Sequence, residues 1–421
     1  MRERMRLSDV RSWIALLAAL ALPAGAIARP VQTPATQAVA EDRAPVTIFV
    51  SIDAFRPDYL HKGNTPNLDA LAAGGVQGTM RPSFPSLTFP NHEAMITGLR
   101  PDRSGIVAGV MYDPRRPGLK FGNTEATQYD SFWWDSAEPL WVAAEKQHIQ
   151  TGVMFWPGLE IEHDGVRPTD WARYDANYLG GSRVRTILDW MRRPAAIRPK
   201  LAVLYLDIVD KTGHKKGIEG PEIIEAIRQT DGWIGDLVAG LKELGQPANL
   251  VIVSDHGMTE IRPERTLLLP TILPADSYRF AQWGPFASID PTPGHEAQVE
   301  AALLAPHPFA KCWRKADLPA RYHYGKNPRV TAFVCVAQAG GEIMPVMPTN
   351  KGDHGYDPDD PDMTAMMLLN GPAFRSGATP PPKFDNVDIY PLLRDLIGLP
   401  PAADIDGTDA PFHDILVRDR K

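Results

Sequence analysis

Cysteine is almost missing from this chain of 421 residues, with Cys312 and Cys335 the only two. That scarcity excludes a cysteine-dense scaffold, and neither residue stands in a metal-type spacing. Any metal here has to be held by nitrogen and oxygen. The pair could close one disulfide in an oxidising compartment. Positive charge is also short: 44 Lys+Arg against 51 Asp+Glu leave a formal net charge of −7. That balance gives no support to a nucleic-acid groove or an anionic membrane surface as the main partner. Repeats are lacking, and the 41 prolines and 34 glycines are spread along the chain. Such a distribution points to long ordered loops, not to a low-complexity segment.

Long apolar runs are missing too. The run 13–22 is short for a membrane span. It follows Arg2, Arg4, Arg6 and Arg11 and precedes Ala26-Ile27-Ala28, the pattern of a cleaved export signal. We expect a signal peptide over 1–28, a linker over 29–43, and export to the periplasm or the exterior. No stable membrane span is expected after cleavage; an uncleaved anchor is the alternative. No cysteine follows the run, which argues against a lipoprotein.

What is present is a set of apolar strands that end in acids. Segments 46–52, 201–206 and 249–254 are continuous, β-rich apolar runs of the kind buried in parallel sheets. They lead into Asp53, into Asp207-Ile-Val-Asp210 and into Asp255-His256. Further strands are expected at 152–156 and 364–369, with helices at 67–73, 140–147, 183–192, 222–244 and 387–397. This alternation predicts an α/β fold with a mainly parallel sheet between helical layers. Ligands bind beyond the carboxyl ends of such strands, where Asp53, Asp210 and Asp255-His256 would collect. Segment 258–351 reads as irregular apart from a modest strand at 331–336. We expect it to be a smaller cap or insertion within a catalytic domain formed by 44–257 and 352–421.

The acids come with histidines. Asp210-Lys-Thr-Gly-His214 contains a glycine that would allow a tight turn, aiming both end residues at one ion. Asp255-His256-Gly257 and Gly352-Asp-His354-Gly-Tyr356 add two more imidazoles, and the glycines suit close backbone approach. Taken singly, an Asp after a strand is a turn former or a helix cap, and a lone His is a hydrogen-bonded surface residue. Together they fit one two-metal site. Mixed imidazole and carboxylate sets suit zinc best, with manganese or iron as substitutes.

The stretch Phe84-Pro-Ser-Leu-Thr-Phe-Pro-Asn-His92 supplies a hydroxyl, Thr88, ahead of a helix expected over 91–97. Thr88 is either a helix cap or a nucleophile for phosphoryl transfer, placed where the helix dipole favours anions. Beside two metals the second role has a mechanism, because a lowered hydroxyl pKa makes an alkoxide available.

These residues resemble the nucleotide pyrophosphatase/phosphodiesterase family of the alkaline phosphatase superfamily. The matching stretches are Asp53, Thr88-Phe-Pro-Asn-His92, Thr97-Gly-Leu-Arg-Pro101, Gly105-Ile-Val107 and Phe155-Trp-Pro-Gly158. Asp210-Lys-Thr-Gly-His214, Ser254-Asp-His-Gly257, His354-Gly-Tyr-Asp357 and Asn386-Val-Asp-Ile-Tyr390 follow in the family's order. The resemblance implies an alkaline-phosphatase-like fold and two Zn2+ per chain. One zinc would be held by Asp210, His214 and His354, the other by Asp53, Asp255 and His256. Thr88 would be both the nucleophile and a further metal ligand. Phe89, Tyr174 and Tyr205 fall where the family lines its leaving-group pocket, with core packing as the alternative. The implied activity is phosphodiester or nucleotide pyrophosphate hydrolysis through a threonyl-phosphate. A phosphomonoesterase or phosphonate hydrolase on the same scaffold is the rival, and a non-catalytic binding relative is a third reading. No Cys-x-Pro-x-Arg segment exists to make a sulfatase. One departure stands out: Gly109 occupies the place where the family carries an Asn that donates to a phosphate oxygen.

Overall fold

The computed structural model describes residues 43–378 and 383–417. The expected leader over 1–28 and the linker as far as residue 42 lie outside the described residues.

An eight-stranded sheet organises the molecule. Its order is Phe384–Asp385, Val76–Arg81, Ala365–Asn370, Ala248–Val253, Val46–Ile52, Leu201–Leu206, Thr151–Met154 and Asp170–Ala172. Only Ala365–Asn370 runs against the others, pairing antiparallel with both neighbours. The remaining ladders are parallel. Val46–Ile52 is buried at every position, which explains its continuous apolar sequence. Ile48, Val50 and Ile52 face one layer, with Leu68, Ile187 and Ile234 of the covering helices. Phe49, Val203 and Val251 face the other, with Met95, Trp141 and Leu392. This is the predicted α/β arrangement, a mainly parallel sheet covered on both faces.

Because those strands run the same way, their carboxyl ends share one edge. Asp53 follows Val46–Ile52 and Asp255-His256 follows Ala248–Val253. Leu201–Leu206 leads into helix Ile208–Lys216. That helix corrects one expectation. Asp210 and His214 sit on a helix, not in a tight turn, and the i,i+4 spacing puts both on one face. Thr88 is corrected likewise, since the helix spans Thr88–Thr97 and begins three residues earlier than the sequence suggests.

Segment 258–351 is more ordered than its sequence implies. It holds a four-stranded antiparallel sheet, Tyr278–Gln282, Phe286–Pro291, Phe333–Ala337 and Ala310–Arg314 in that order. Cys312 and Cys335 are register partners across its last two strands and are joined as a disulfide. A two-residue ladder pairs Thr259–Glu260 with Gly352–Asp353 at the edge of the main body. No helix among the described residues is long and apolar enough to cross a membrane.

Candidate active site

The strand-end residues gather into two groups. Ligand atoms of Asp210, His214 and His354 lie within 4.8 Å of one another, and so do those of Asp53, Asp255 and His256. The two groups touch, because the rings of His256 and His354 stack with centroids 3.7 Å apart.

Each imidazole is aimed by the same device. His214 Nδ1 bonds the carbonyl of Gly352 at 3.0 Å, His354 Nδ1 that of Ser86 at 3.0 Å, and His256 Nδ1 that of Gly257 at 2.9 Å. A carbonyl only accepts, so each Nδ1 carries a proton and each Nε2 is the ring nitrogen turned into the site. Those Nε2 atoms point at carboxylates: His214 and His354 at Asp210 Oδ1, 3.4 and 3.6 Å away, and His256 at Asp255 Oδ2, 3.0 Å away. Gly352 is needed for this approach, since a Cβ there would lie 2.7 Å from the Gly213 carbonyl.

The carboxylates are tied on one side and open on the other. Tyr205 Oη donates to Asp53 Oδ2 at 2.5 Å, and the Ala54 amide donates to Asp255 Oδ1 at 3.1 Å. Asp53 Oδ1, Asp255 Oδ2 and Asp210 Oδ1 are buried without a hydrogen-bond partner. Buried anionic oxygens left open are costly unless a cation meets them. The donor set and these orphaned oxygens therefore suit a divalent cation in either group.

The charges reflect the same crowding. Burial, then the neighbouring Asp255 and Asp210, raises the Asp53 carboxyl well above its ordinary range. Burial works the same way on Asp210, but the imidazoles around it outweigh that and hold it low. Burial opposes charge on His214, yet Asp210 beside it pushes that imidazole up to about 10. His354, buried and facing His256, is pushed down to about 3.

Thr88 lines the same cleft as members of both groups. Leu87 is the helix cap residue, without a side-chain capping bond, and the Thr88 Oγ1 instead lies 3.2 Å from His256 Nε2. The capping role is thereby set aside. Behind Thr88, buried His92 bonds the Thr88 carbonyl at 2.9 Å and Ser51 Oγ at 2.9 Å, with Asp255 Oδ2 at 3.3 Å. His92 was present in the sequence motif, but nothing local signalled this bracing role.

A cleft opens beside Thr88, lined by Phe89, Trp156, Tyr174 and Tyr205. A second lobe extends past Gly109, Gln282, His214 and His354. Tyr174 Oη donates to Asp207 at 2.5 Å and also meets Lys211 Nζ at 2.7 Å, which fixes the ring at the cleft wall. His323 is exposed and lines neither lobe.

The family model for type I phosphodiesterase / nucleotide pyrophosphatase matches residues 47–357. The chain belongs to that family. This family member is 35% identical over 376 residues to an uncharacterized pyrophosphatase/phosphodiesterase of Schizosaccharomyces pombe, a match covering 84% of the chain and 77% of the relative. It is 32% identical to ectonucleotide pyrophosphatase/phosphodiesterase family member 1 of Rattus norvegicus. That match covers 87% of this chain but only 42% of the rat protein, so the chain spans less than half of that relative. Among solved structures, an inactive variant of murine ectonucleotide pyrophosphatase/phosphodiesterase 5 in complex with AMP superposes with a TM-score of 0.84. Sequence identity there is 32%, covering 89% of this chain and all of the murine chain (100%). The fold is thus alkaline-phosphatase-like.

Proposed function

We propose that this family member is an exported, zinc-dependent phosphodiesterase of the nucleotide pyrophosphatase type that works by double displacement through Thr88. The observation that carries the reading is the Thr88 hydroxyl at a helix start, 3.2 Å from His256 Nε2, in a cleft it lines together with Asp53, Asp210, His214 and His354. Asp210, His214 and His354 would hold one zinc; Asp53, Asp255 and His256 the other, with Thr88 as a further metal ligand. Bound there, two such ions would supply Lewis-acid neutralisation of phosphoryl charge and would acidify the attacking hydroxyl.

Thr88 Oγ attacks phosphorus in line, the bond to the leaving oxygen breaks, and a threonyl-phosphate results. Water then attacks that phosphorus, the Thr88 Oγ–P bond breaks, and phosphate monoester leaves. The first amides of helix Thr88–Thr97 face the developing charge. Phe89, Tyr174 and Tyr205 offer aromatic surface to a nucleoside or another flat leaving group. The AMP carried by the murine relative supports a small nucleotide as substrate. Segment 258–351 would act as a cap, since Gln282 and Phe286 reach the second lobe.

Rates on bis-(p-nitrophenyl) phosphate and p-nitrophenyl phosphate, with and without chelator, test this. Diester turnover that exceeds monoester turnover and disappears with chelator is expected. Equal or faster monoester turnover would sink the assignment. Thr88→Ala should lose roughly 10³-fold or more in kcat while retaining bound zinc.

A further inference from the structure

We propose that Asn123 binds a non-bridging phosphoryl oxygen, taking over from the facing strand the donor that Gly109 cannot provide. The inference deepens the phosphodiesterase reading and rests on it.

The placement follows from a hairpin. Val110–Tyr112 pairs antiparallel with Lys120–Gly122, Val110 opposite Gly122. One step further out, the Asn123 amide donates to the Gly109 carbonyl at 2.9 Å. Residues 109 and 123 are therefore opposite each other, and side chains at directly opposed positions share a face. A carboxamide on either one reaches the same volume. The structure gives that volume to Asn123: a Cβ built on Gly109 would stand 3.2 Å from Asn123 Nδ2 and 3.3 Å from Gln282 Oε1. Glycine at 109 is what leaves room for the Asn123 side chain. No unusual backbone demands it, because Gly109 is not among the glycines at positive φ.

The carboxamide is also uncommitted. Among the described residues, no hydrogen bond engages the Asn123 side chain, whereas Gln282 beside it accepts from the Val110 amide at 2.9 Å and donates to the Trp283 carbonyl at 3.2 Å. Tyr174 and Tyr205 are spent on Asp207 and Asp53. Four residues line both lobes of the cleft: Thr88, Phe89, Asn123 and Asp210. Of these, only Asn123 carries a side-chain N–H. It stands where the lobes meet beside the nucleophile, the position a transferring phosphoryl group would occupy. A neutral donor aimed there strengthens as charge grows on the equatorial oxygens.

The test uses the zinc-loaded full chain. Asn123→Asp keeps the shape and removes the donor, and Asn123→Gly clears the volume. Each is expected to lower kcat on bis-(p-nitrophenyl) phosphate by about 10²–10³-fold with little change in KM, zinc content or thermal midpoint. Gly109→Asn placed in the Asn123→Gly background returns the carboxamide from the other strand and should recover at least about tenfold of that loss. Orthovanadate affinity, measured by calorimetry, should fall and recover in step. Turnover and vanadate affinity unchanged in Asn123→Asp, with Thr88→Ala inactive, would overturn the Asn123 role and leave the phosphodiesterase reading standing. Loss without recovery in the double variant would assign Asn123 a structural part only, which also overturns it. A zinc-loaded parent without diesterase activity would remove the reading and the inference together.

Discussion

Tyr205 donates its phenolic proton to Asp53 Oδ2, while Asp53 Oδ1 is buried and unpartnered. The first contact fixes which oxygen is left for a cation. Burial, then the charge of Asp53, raises the Tyr205 phenol well above its ordinary range, so it remains a donor at any working pH. Tyr205→Phe should weaken metal affinity at the Asp53, Asp255, His256 group by roughly 10–100-fold. Competition with a calibrated chelator measures this. Unchanged affinity would mean that Asp53 is oriented by its strand alone.

Asp210 Oδ1 faces the Nε2 atoms of two imidazoles directed by backbone carbonyls, 3.4 and 3.6 Å away. Asp210→Asn should release one equivalent of metal per chain under dialysis and leave the other bound, as mass spectrometry under native conditions would report. Loss of both equivalents would make the stacked groups a single cooperative site. Full retention would remove Asp210 from the ligand set.

Glu93 lies inside helix Thr88–Thr97, fully buried, and burial pushes its carboxyl up to about 8. The native chain thus holds a proton that the unfolded chain gives up above about 4.3. Its contribution is fully present below that value and is lost as the pH rises towards 8, by at most about 1.4 kcal/mol per pH unit. Glu93→Gln removes the dependence. The gap in thermal midpoint between variant and parent should be small at acid pH and widen towards pH 8 or so. A gap of constant size would show that the carboxylate has a partner for its charge.

The Cys312–Cys335 disulfide joins register partners far from Thr88 in sequence, and neither cysteine lines the cleft. Replacing both by Ser should cost roughly 2–4 kcal/mol in denaturant unfolding with kcat unchanged. A fall in kcat instead would tie the second sheet to the catalytic geometry.

Much of this arrangement could be read before any coordinates. Val46–Ile52 and Ala248–Val253 are buried on both faces, so their sequences are unbroken apolar runs and the first acid marks the sheet edge. The strand Val76–Arg81 was missed because it buries alternate residues only, and its apolar content is diluted by Gln77, Gly78 and Thr79. Ala310–Arg314 is obscured for the same reason, and Tyr278–Gln282 because a register shift between Phe280 and Gln282 leaves Tyr278 and Ala281 as its buried positions. Helix Ile208–Lys216 was hidden by Gly213, which weakens helix propensity but sits against the Met258 side chain. Asn123 had a signal available: Gly109 and Asn123 are equally distant from the Pro- and Gly-containing turn that closes their hairpin. Reading it required pairing two three-residue strands, for which periodicity is too short.

The chain departs from the main body at Thr259 and comes back at Asp353 through the same two-residue ladder. Departure and return at one doorway mean that His354 is positioned by the doorway, not by the length of chain beyond it. Loop-closure cost grows only slowly with length, so the exposed loops between these strands can lengthen or shorten, whereas Phe286, Tyr322 and Tyr324 are held against Phe84 of the Thr88 loop. The parallel sheet carries Asp53, Asp255 and His256 at its strand ends, while Gln282 and Phe286 from beyond the doorway line the second lobe.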